Sequence, residues 1–270
     1  MNIIIRVAVC GAAGRMGREV VRAVAREDGL ELVGAVDHHD LGTDAGVVAG
    51  IAPLGVVVSN DLKGTLVGTQ PDVMVDFTSP AAVAENARTA IRAGVRPVIG
   101  TTGMDPKDLA ELGRLSAETR VGVVVAPNFA VGAVLMMKFA EMAAKFFPAV
   151  EIIELHHDQK LDAPSGTALK TAEKISQTRG GDYRQDAVDA MTALEGVRGG
   201  SYNGGIRIHS VRLPGLVAHQ EVIFGGLGQT LTLRHDSISR ESFMPGVVLA
   251  VRRVIGLEEM VVGLENLIFE

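Results

Sequence analysis

Tryptophan is absent from this 270-residue sequence, and cysteine occurs once, at Cys10. A single cysteine closes no internal disulfide and builds no cysteine metal cage, which fits a reducing compartment and a cytoplasmic protein. Aromatic residues are scarce, with eight Phe and two Tyr, and the formal charge is −6. Nucleic-acid binding draws on clustered Lys and Arg and on aromatic stacking platforms, so this balance speaks against a nucleic-acid partner. Long hydrophobic runs are missing as well. Ile3-Ile4-Ile5 is cut by Arg6 and has no basic region before it, too short and wrongly flanked for a signal peptide. The longest apolar stretch, Val121 to Met137, is interrupted by Pro127-Asn128, so no membrane partner is expected.

Glycine is what the sequence has in excess: 32 residues, about 12% against a usual ~7%. No fixed period accompanies it and proline numbers only 10, so a folded chain with many close backbone approaches is the simplest account. At roughly 150 residues per domain, the length suits one large or two ordinary domains.

Through residue 126 the sequence alternates short β-branched runs with helical patterns. The runs Ile3–Val9, Leu32–Val36, Val56–Ser59, Val73–Asp76, Val98–Ile99 and Val121–Ala126 are expected strands. Met16–Ala25, Ala81–Ala93 and Lys107–Ser116 are expected helices. In the first helix Met16, Val20, Val21 and Val24 form one stripe, while Arg15, Arg18, Arg22 and Arg26 face away. Strands separated by helices imply βαβ units and an α/β fold with a Rossmann-type, doubly wound parallel sheet. After Ala126 the rhythm changes. A helix over Ala130–Phe147 ends at Pro148, a strand covers Val150–His156, and a helix opens at Ser165. Gly199 to Gly205 is expected as a flexible loop, followed by Ile206–Leu213, Ala218–Phe224 and Gln229–Arg234 spaced as an antiparallel meander. A last helix follows Ser239 to about Ile255, and Leu257 to Glu270 has no clear assignment. The expected organisation is a dinucleotide-binding domain, 1–129 completed by 237–270. Residues 130–236 are expected to form an α+β domain with a mixed or antiparallel sheet.

Val9-Cys10-Gly11-Ala12-Ala13-Gly14-Arg15-Met16-Gly17 stands where the first strand passes into the first helix. Gly11 permits the tight turn, Gly14 lets backbone approach a pyrophosphate, and Gly17 lets the helix pack close to the sheet. The spacing is GxxGxxG, and such turns also occur as plain structure. Asp37, at the end of the second strand and 20 residues after Gly17, adds a carboxylate able to accept both hydroxyls of an adenosine ribose. An acidic residue there favours NADH, but His38, His39 and Arg15 could answer a 2′-phosphate, so NADPH stays open.

Residues 154–167, Glu154-Leu155-His156-His157-Asp158-Gln159-Lys160-Leu161-Asp162-Ala163-Pro164-Ser165-Gly166-Thr167, pack donors, acids and a helix start into one segment. Adjacent histidines on an extended chain point to opposite sides and make poor joint ligands, and no cysteines assist them, so no metal is expected. A surface charge cluster is the plain alternative. A histidine beside a fixed ammonium suits proton transfer coupled to hydride addition. Ser165-Gly166-Thr167 at a helix N-terminus suits a carboxylate.

Together with Asp76-Phe77-Thr78, Gly100-Thr101-Thr102-Gly103 and Ala126-Pro127-Asn128-Phe129, these stretches run in order along nearly the whole chain. In them the sequence resembles the 4-hydroxy-tetrahydrodipicolinate reductase (dihydrodipicolinate reductase) family of lysine and diaminopimelate biosynthesis. The resemblance implies His156 as proton donor or acceptor and Lys160 as second donor. It implies that His157, Gly166 and Thr167 hold the two carboxylates of a dicarboxylate substrate. Gly11, Ala12, Ala13, Gly14, Arg15 and Met16 would bind the dinucleotide phosphates, and Asp37 with His38 the ribose end. Gly100, Thr101 and Thr102 with Ala126, Pro127, Asn128 and Phe129 would receive the nicotinamide end. It also implies a homotetramer built through the second domain's sheet. Closure of the two domains about hinges near Phe129 and Asp236 is expected to bring nicotinamide and substrate together and exclude water. Some members carry Arg directly after the acidic ribose ligand where this chain has His38, so strong NADPH preference does not carry over.

Two other readings compete. A different two-domain NAD(P)-dependent reductase, of the sugar or inositol dehydrogenase kind, usually has a Glu-Lys-Pro element where Gly100-Thr101-Thr102-Gly103 stands. A non-enzymatic dinucleotide-sensing regulator would not need His156, Lys160 and an anion site in one short segment.

Overall fold

Runs of β-branched residues with helices on either side become strands whose central stretches are apolar and buried. Ile5–Cys10 forms β1, in which Val7 to Cys10 are all buried. The computed structural model describes residues 4–180, 193–203 and 205–269. Its chain divides into two compact units, Met1–Ala130 with Phe243–Glu270, and Val131–Ser242.

In the first unit β1 is followed by α1 (Arg15–Arg26), β2 (Leu30–Val36), α2 (Ala45–Val48) and β3 (Val58–Ser59). Then come α3 (Leu62–Thr69), β4 (Val73–Asp76), α4 (Val83–Arg92), β5 (Arg96–Ile99), α5 (Pro106–Thr119) and β6 (Val123–Val125). The hydrophobic stripe of α1 buries Gly17, Val20, Val21 and Val24, as its periodicity requires. α3 escapes the sequence pattern because Gly64 and Gly68 interrupt it and only Leu66 is buried; Asp61 caps it by accepting from the Gly64 N–H at 2.8 Å.

The second unit contains α6 (Val131–Ala143), β7 (Ala149–His156), α7 (Gly166–Thr178), β8 (Gly200–Tyr202), β9 (Ile206–Arg212), β10 (Ala218–Gly226) and β11 (Gln229–Ser237). Its sheet runs β11-β10-β7-β9-β8. The last three long strands therefore do not form a meander. β9 pairs parallel with β7, and β10 pairs antiparallel on the other side of β7. The crossover through α7 explains this: a strand, a helix on one face and a return strand give a parallel pair, leaving the opposite edge of β7 to β10. Gly199 to Gly205 is not simply a loop, since Gly200–Tyr202 is an edge strand antiparallel to β9; Gly204 lies outside the described residues. Met136, Ala140, Ile152, Ala172, Ile175 and Phe224 belong to one buried core joining α6 and α7 to the sheet.

After a short 3-10 turn at Arg240–Phe243, α8 (Met244–Val254) returns to the first unit. The unassigned tail becomes β12 (Met260–Val262), parallel to β6, and α9 (Glu265–Ile268). The seven-stranded sheet then runs β12-β6-β5-β4-β1-β2-β3, every pair parallel. This is the Rossmann-type, doubly wound order, and the chain reverses its direction of travel between β1 and β4. A crevice for a ligand opens beyond the carboxyl ends of strands at such a reversal.

Candidate active site

β1 delivers Cys10-Gly11 into that crevice. Gly11 has φ +79°, and a Cβ on it would stand 2.5 Å from the Phe77 carbonyl oxygen. Gly17 is tighter still: its Cβ would lie 1.9 Å from the Gly11 carbonyl oxygen, so the first turn of α1 rests directly on the loop. Gly14 is the N-cap of α1 and brings no side chain to the free N–H groups of the first turn. Those donors, at the positive end of the helix, suit an anion. A cavity of about 370 Å³ has Gly11, Gly14, Asp37, His38, Asn60 and Thr78 in its wall. An uncapped helix start over a glycine floor fits a dinucleotide pyrophosphate. In the same loop Ala12 and Ala13 are buried, Met16 is half-buried and Arg15 is exposed.

Asp37 closes the loop from the end of β2. Its Oδ2 accepts from the Ala13 N–H at 2.9 Å, and its Oδ1 accepts from the N–H groups of His38 (2.7 Å) and His39 (3.0 Å). The carboxylate thus binds β2 to the phosphate loop, with the His38 and His39 side chains exposed beside it. Burial pushes the Cys10 thiol well above its usual pKa, and the charges of Asp76 and Asp37 push it further. A thiol in that condition is a core side chain, not a nucleophile.

The segments after β4, β5 and β6 converge on Phe77. A Cβ on Gly100 would fall 2.1 Å from the Phe77 ring, and the rings of Phe77 and Phe129 lie 5.8 Å apart, tilted by 55°. Beneath them Asp76 is fully buried. Its Oδ1 accepts from the Thr78 N–H (3.0 Å), Thr78 Oγ1 (2.7 Å) and Thr101 Oγ1 (2.9 Å), and its Oδ2 from Asn86 Nδ2 (2.8 Å). Ala126 donates to the Ile99 carbonyl at 3.0 Å, and Asn128 Oδ1 accepts from the Ala130 N–H at 2.9 Å. Thr102 and Pro127 are exposed.

On the second unit, Val150, Ile152, Glu154 and His156 share one face of β7, following the period of two. Glu154 is fully buried, and its Oε2 lies 2.5 Å from His156 Nδ1. Parallel register sets Arg212 of β9 opposite His156, and the guanidinium spans both Glu154 oxygens at 2.8 and 3.0 Å. The Ser165 N–H adds a longer bond to Oε1 at 3.3 Å. Burial alone would raise the Glu154 pKa. Hydrogen bonds from His156, Arg212 and Ser210, with the charge of Arg212, outweigh it and hold the carboxyl at about 2. A carboxylate only accepts, so Nδ1 of His156 carries the hydrogen and Nε2 is left to exchange a proton.

Lys160 Nζ is held by Asp162 at 2.7 and 2.9 Å, and that hydrogen bond lowers the Asp162 pKa. Arg212 also donates to the Asp162 carbonyl at 2.6 Å, which fastens the loop to β9. Ser165 caps α7 by accepting from the Ala168 N–H at 3.2 Å. At Gly166 a Cβ would meet open space, so the helix start is free on that side. His157 is exposed.

Family models decide what this arrangement belongs to. The N-terminal model of dihydrodipicolinate reductase matches residues 5–129, and the C-terminal model matches residues 132–268. The chain belongs to the dihydrodipicolinate reductase family. A 4-hydroxy-tetrahydrodipicolinate reductase of Desulfitobacterium hafniense (strain DSM 10664 / DCB-2) is 56% identical over 263 residues, covering 97% of this chain and 98% of that protein. One from Moorella thermoacetica (strain ATCC 39073 / JCM 9320) is 54% identical over 264 residues, 98% of each. The dipicolinate-bound dihydrodipicolinate reductase from Paenisporosarcina sp. TG-14 superposes with a TM-score of 0.88 at 50% identity, over 98% of this chain and 99% of that one. An amine dehydrogenase from Mycobacterium smegmatis, at 17% identity and TM-score 0.68 over 97% and 95%, shares the fold alone. As a dihydrodipicolinate reductase family member, the chain is an NAD(P)H-dependent oxidoreductase.

Sequence reasoning gave no role to three residues of this reductase. Glu154 could have been found as an acid on the inward face of an otherwise apolar strand. Asp76 could have been found as a carboxylate ending a buried strand. Arg212 meets Glu154 across 58 residues, and no local pattern signals that.

Proposed function

We propose that the chain reduces (2S,4S)-4-hydroxy-2,3,4,5-tetrahydrodipicolinate with NADH or NADPH, in lysine and diaminopimelate biosynthesis. One hydride and one proton enter, (S)-2,3,4,5-tetrahydrodipicolinate forms, and the 4-hydroxyl departs as water. The observation that carries this reading is full-length identity of 54–56% to reductases of that name. When bound, the nicotinamide coenzyme supplies the hydride. Gly11 to Met16 hold its pyrophosphate, Asp37 and His38 its ribose end, and Gly100 to Thr102 with Ala126 to Phe129 its nicotinamide end.

Loss of the 4-hydroxyl with a C5 hydrogen as water makes a C=C–C=N acceptor. Hydride enters at C4, and negative charge spreads from C5 toward the ring nitrogen. His156, fixed through Nδ1 by Glu154, supplies from Nε2 the proton that ends on C5. Lys160 is the second donor. His157, Gly166 and Thr167 hold the two substrate carboxylates, since charge-assisted bonds of about 1.5–3 kcal/mol each orient a dianion as well as bind it. Residues 1–129 with 237–270 serve as the dinucleotide domain, and 130–236 as the substrate domain. The proposed coenzyme residues fall on the first unit and the proposed dicarboxylate residues on the second.

The face of the second sheet opposite its helices carries Ile153, Leu155, Val211 and Ile223, half-buried and interspersed with Glu151 and Glu221. This mixed surface supports assembly of a homotetramer through that sheet, and the single cysteine supports a cytoplasmic location. No helix among the described residues is long and apolar enough to cross a membrane. The deciding experiment follows NADH or NADPH oxidation with and without the enzymatically generated dicarboxylate. Substrate-dependent oxidation is expected; its absence would favour the dinucleotide-sensing regulator.

A further inference from the structure

Among the described residues two carboxylates are fully buried, Glu154 and Asp76. Glu154 has an arginine across both oxygens. Asp76 is held instead by neutral donors: the Thr78 N–H and hydroxyl, the Thr101 hydroxyl and the Asn86 amide. The Thr78 N–H on Oδ1 and the Asn86 NH2 on Oδ2 can only donate, and the two hydroxyls are oriented to donate as well, the arrangement an ionised carboxylate satisfies. Burying an ion without a counter-charge is costly, and a neutral side chain in a neutral network could tie the same segments together for less. The placement of the charge therefore calls for a role.

That role follows from what surrounds it. Asp76 ends β4 at the reversal of strand order, under Phe77 and Gly100, and it is bonded to Thr101. Its field reaches its neighbours, since it is one of the causes that raise the Cys10 thiol pKa. We infer that Asp76 is a positioning residue of the reductase whose buried charge biases the bound coenzyme toward its oxidised, cationic form. Loss of hydride leaves positive charge on the nicotinamide ring, and a fixed negative charge in a low-dielectric floor stabilises that state without reorganising. The same carboxylate holds the segments 77–78 and 100–101 in place. This rests on the proposal that Gly100 and Thr101 receive the nicotinamide end.

The test measures dissociation constants of NAD⁺ and NADH by calorimetry on the full chain. In Asp76→Asn the ratio Kd(NAD⁺)/Kd(NADH) is expected to rise on the order of tenfold. Because asparagine sets a donor against donors, a second variant, Asp76→Asn with Asn86→Asp, keeps one carboxylate and restores the pairing. Its ratio is expected to move the same way by less. Thr101→Val keeps the charge and removes one bond, and is expected to raise both constants with their ratio held. An unchanged ratio in either folded Asp76 variant overturns the electrostatic role, even if both constants rise together. Wild-type constants in Thr101→Val overturn the positioning role. Failure of the wild-type chain to bind either form would instead sink the coenzyme assignment.

Discussion

Glu154 and His156 stand two residues apart on one face of β7, with 2.5 Å between Oε2 and Nδ1 and Arg212 closing the far side of the carboxylate. The strand's own periodicity makes the pair, and the parallel register of β9 completes it. Glu154→Gln keeps the shape but sets an amide NH2 against a donor in either orientation, the Arg212 guanidinium or the His156 Nδ1–H. Turnover is expected to fall on the order of 10²-fold, within the range attributed to a positioned acid or base, with KM little changed. Steady-state kinetics beside a thermal melt checks this; wild-type kcat would remove Glu154 from the mechanism.

The same carboxyl sets an acid limit on stability. Its pKa is about 2 in the folded chain against an ordinary value of 4.5, so between those values the unfolded chain binds the extra proton. The stabilisation, on the order of 3 kcal/mol, is complete above about pH 4.5 and is lost as pH falls toward 2. Denaturant titrations across that window are expected to show falling stability, with a shallower decline in Glu154→Gln. Parallel declines in the two proteins would show that another group sets the limit.

Lys160 separates chemistry from folding. Its partner Asp162 is largely exposed, so the ion pair contributes at most about 1 kcal/mol. Lys160→Ala is expected to melt near the wild-type temperature while losing ~10²–10⁴ in turnover, the scale of a missing general acid. Near-normal turnover would end its catalytic assignment.

Asp37 holds the Ala13 amide and lines the cavity of the first unit, and the proposed function adds a second duty, accepting from the coenzyme ribose. Asp37→Ala is expected to weaken both coenzymes, because the phosphate loop loses its tie, and NADH more than NADPH, because only the free 2′-hydroxyl loses an acceptor. Dissociation constants for the two decide it. Equal losses would mean that the carboxylate holds the loop and does not read the ribose.

Features written in local geometry were legible in the sequence. Gly11, Gly14 and Gly17 announce a strand-to-helix turn because the positive φ of Gly11 and the approach of Gly14 and Gly17 to its carbonyl are local, whereas the Phe77 backbone against Gly11 is not. The stripe of α1 follows from its period alone. Ser165 as a helix cap was legible for the same reason. Pairings between distant segments were not. The spacing of β9, β10 and β11 suits a meander, and only the crossover through α7 places β9 beside β7. Glu154 and Arg212 meet through that same register. Gly100 was read for a ligand, whereas its nearest constraint is the Phe77 ring.

The strand order also bears on how the chain is made. β12 pairs with β6 at the end of the seven-stranded sheet, although the two are more than a hundred residues apart and the whole second unit is encoded between them. Until residues 260–262 leave the ribosome, β6 is a bare parallel edge of the kind that recruits foreign strands. The inserted unit, continuous in sequence, has all its strands available earlier. Synthesis from the N-terminus therefore finishes the interrupted first unit last.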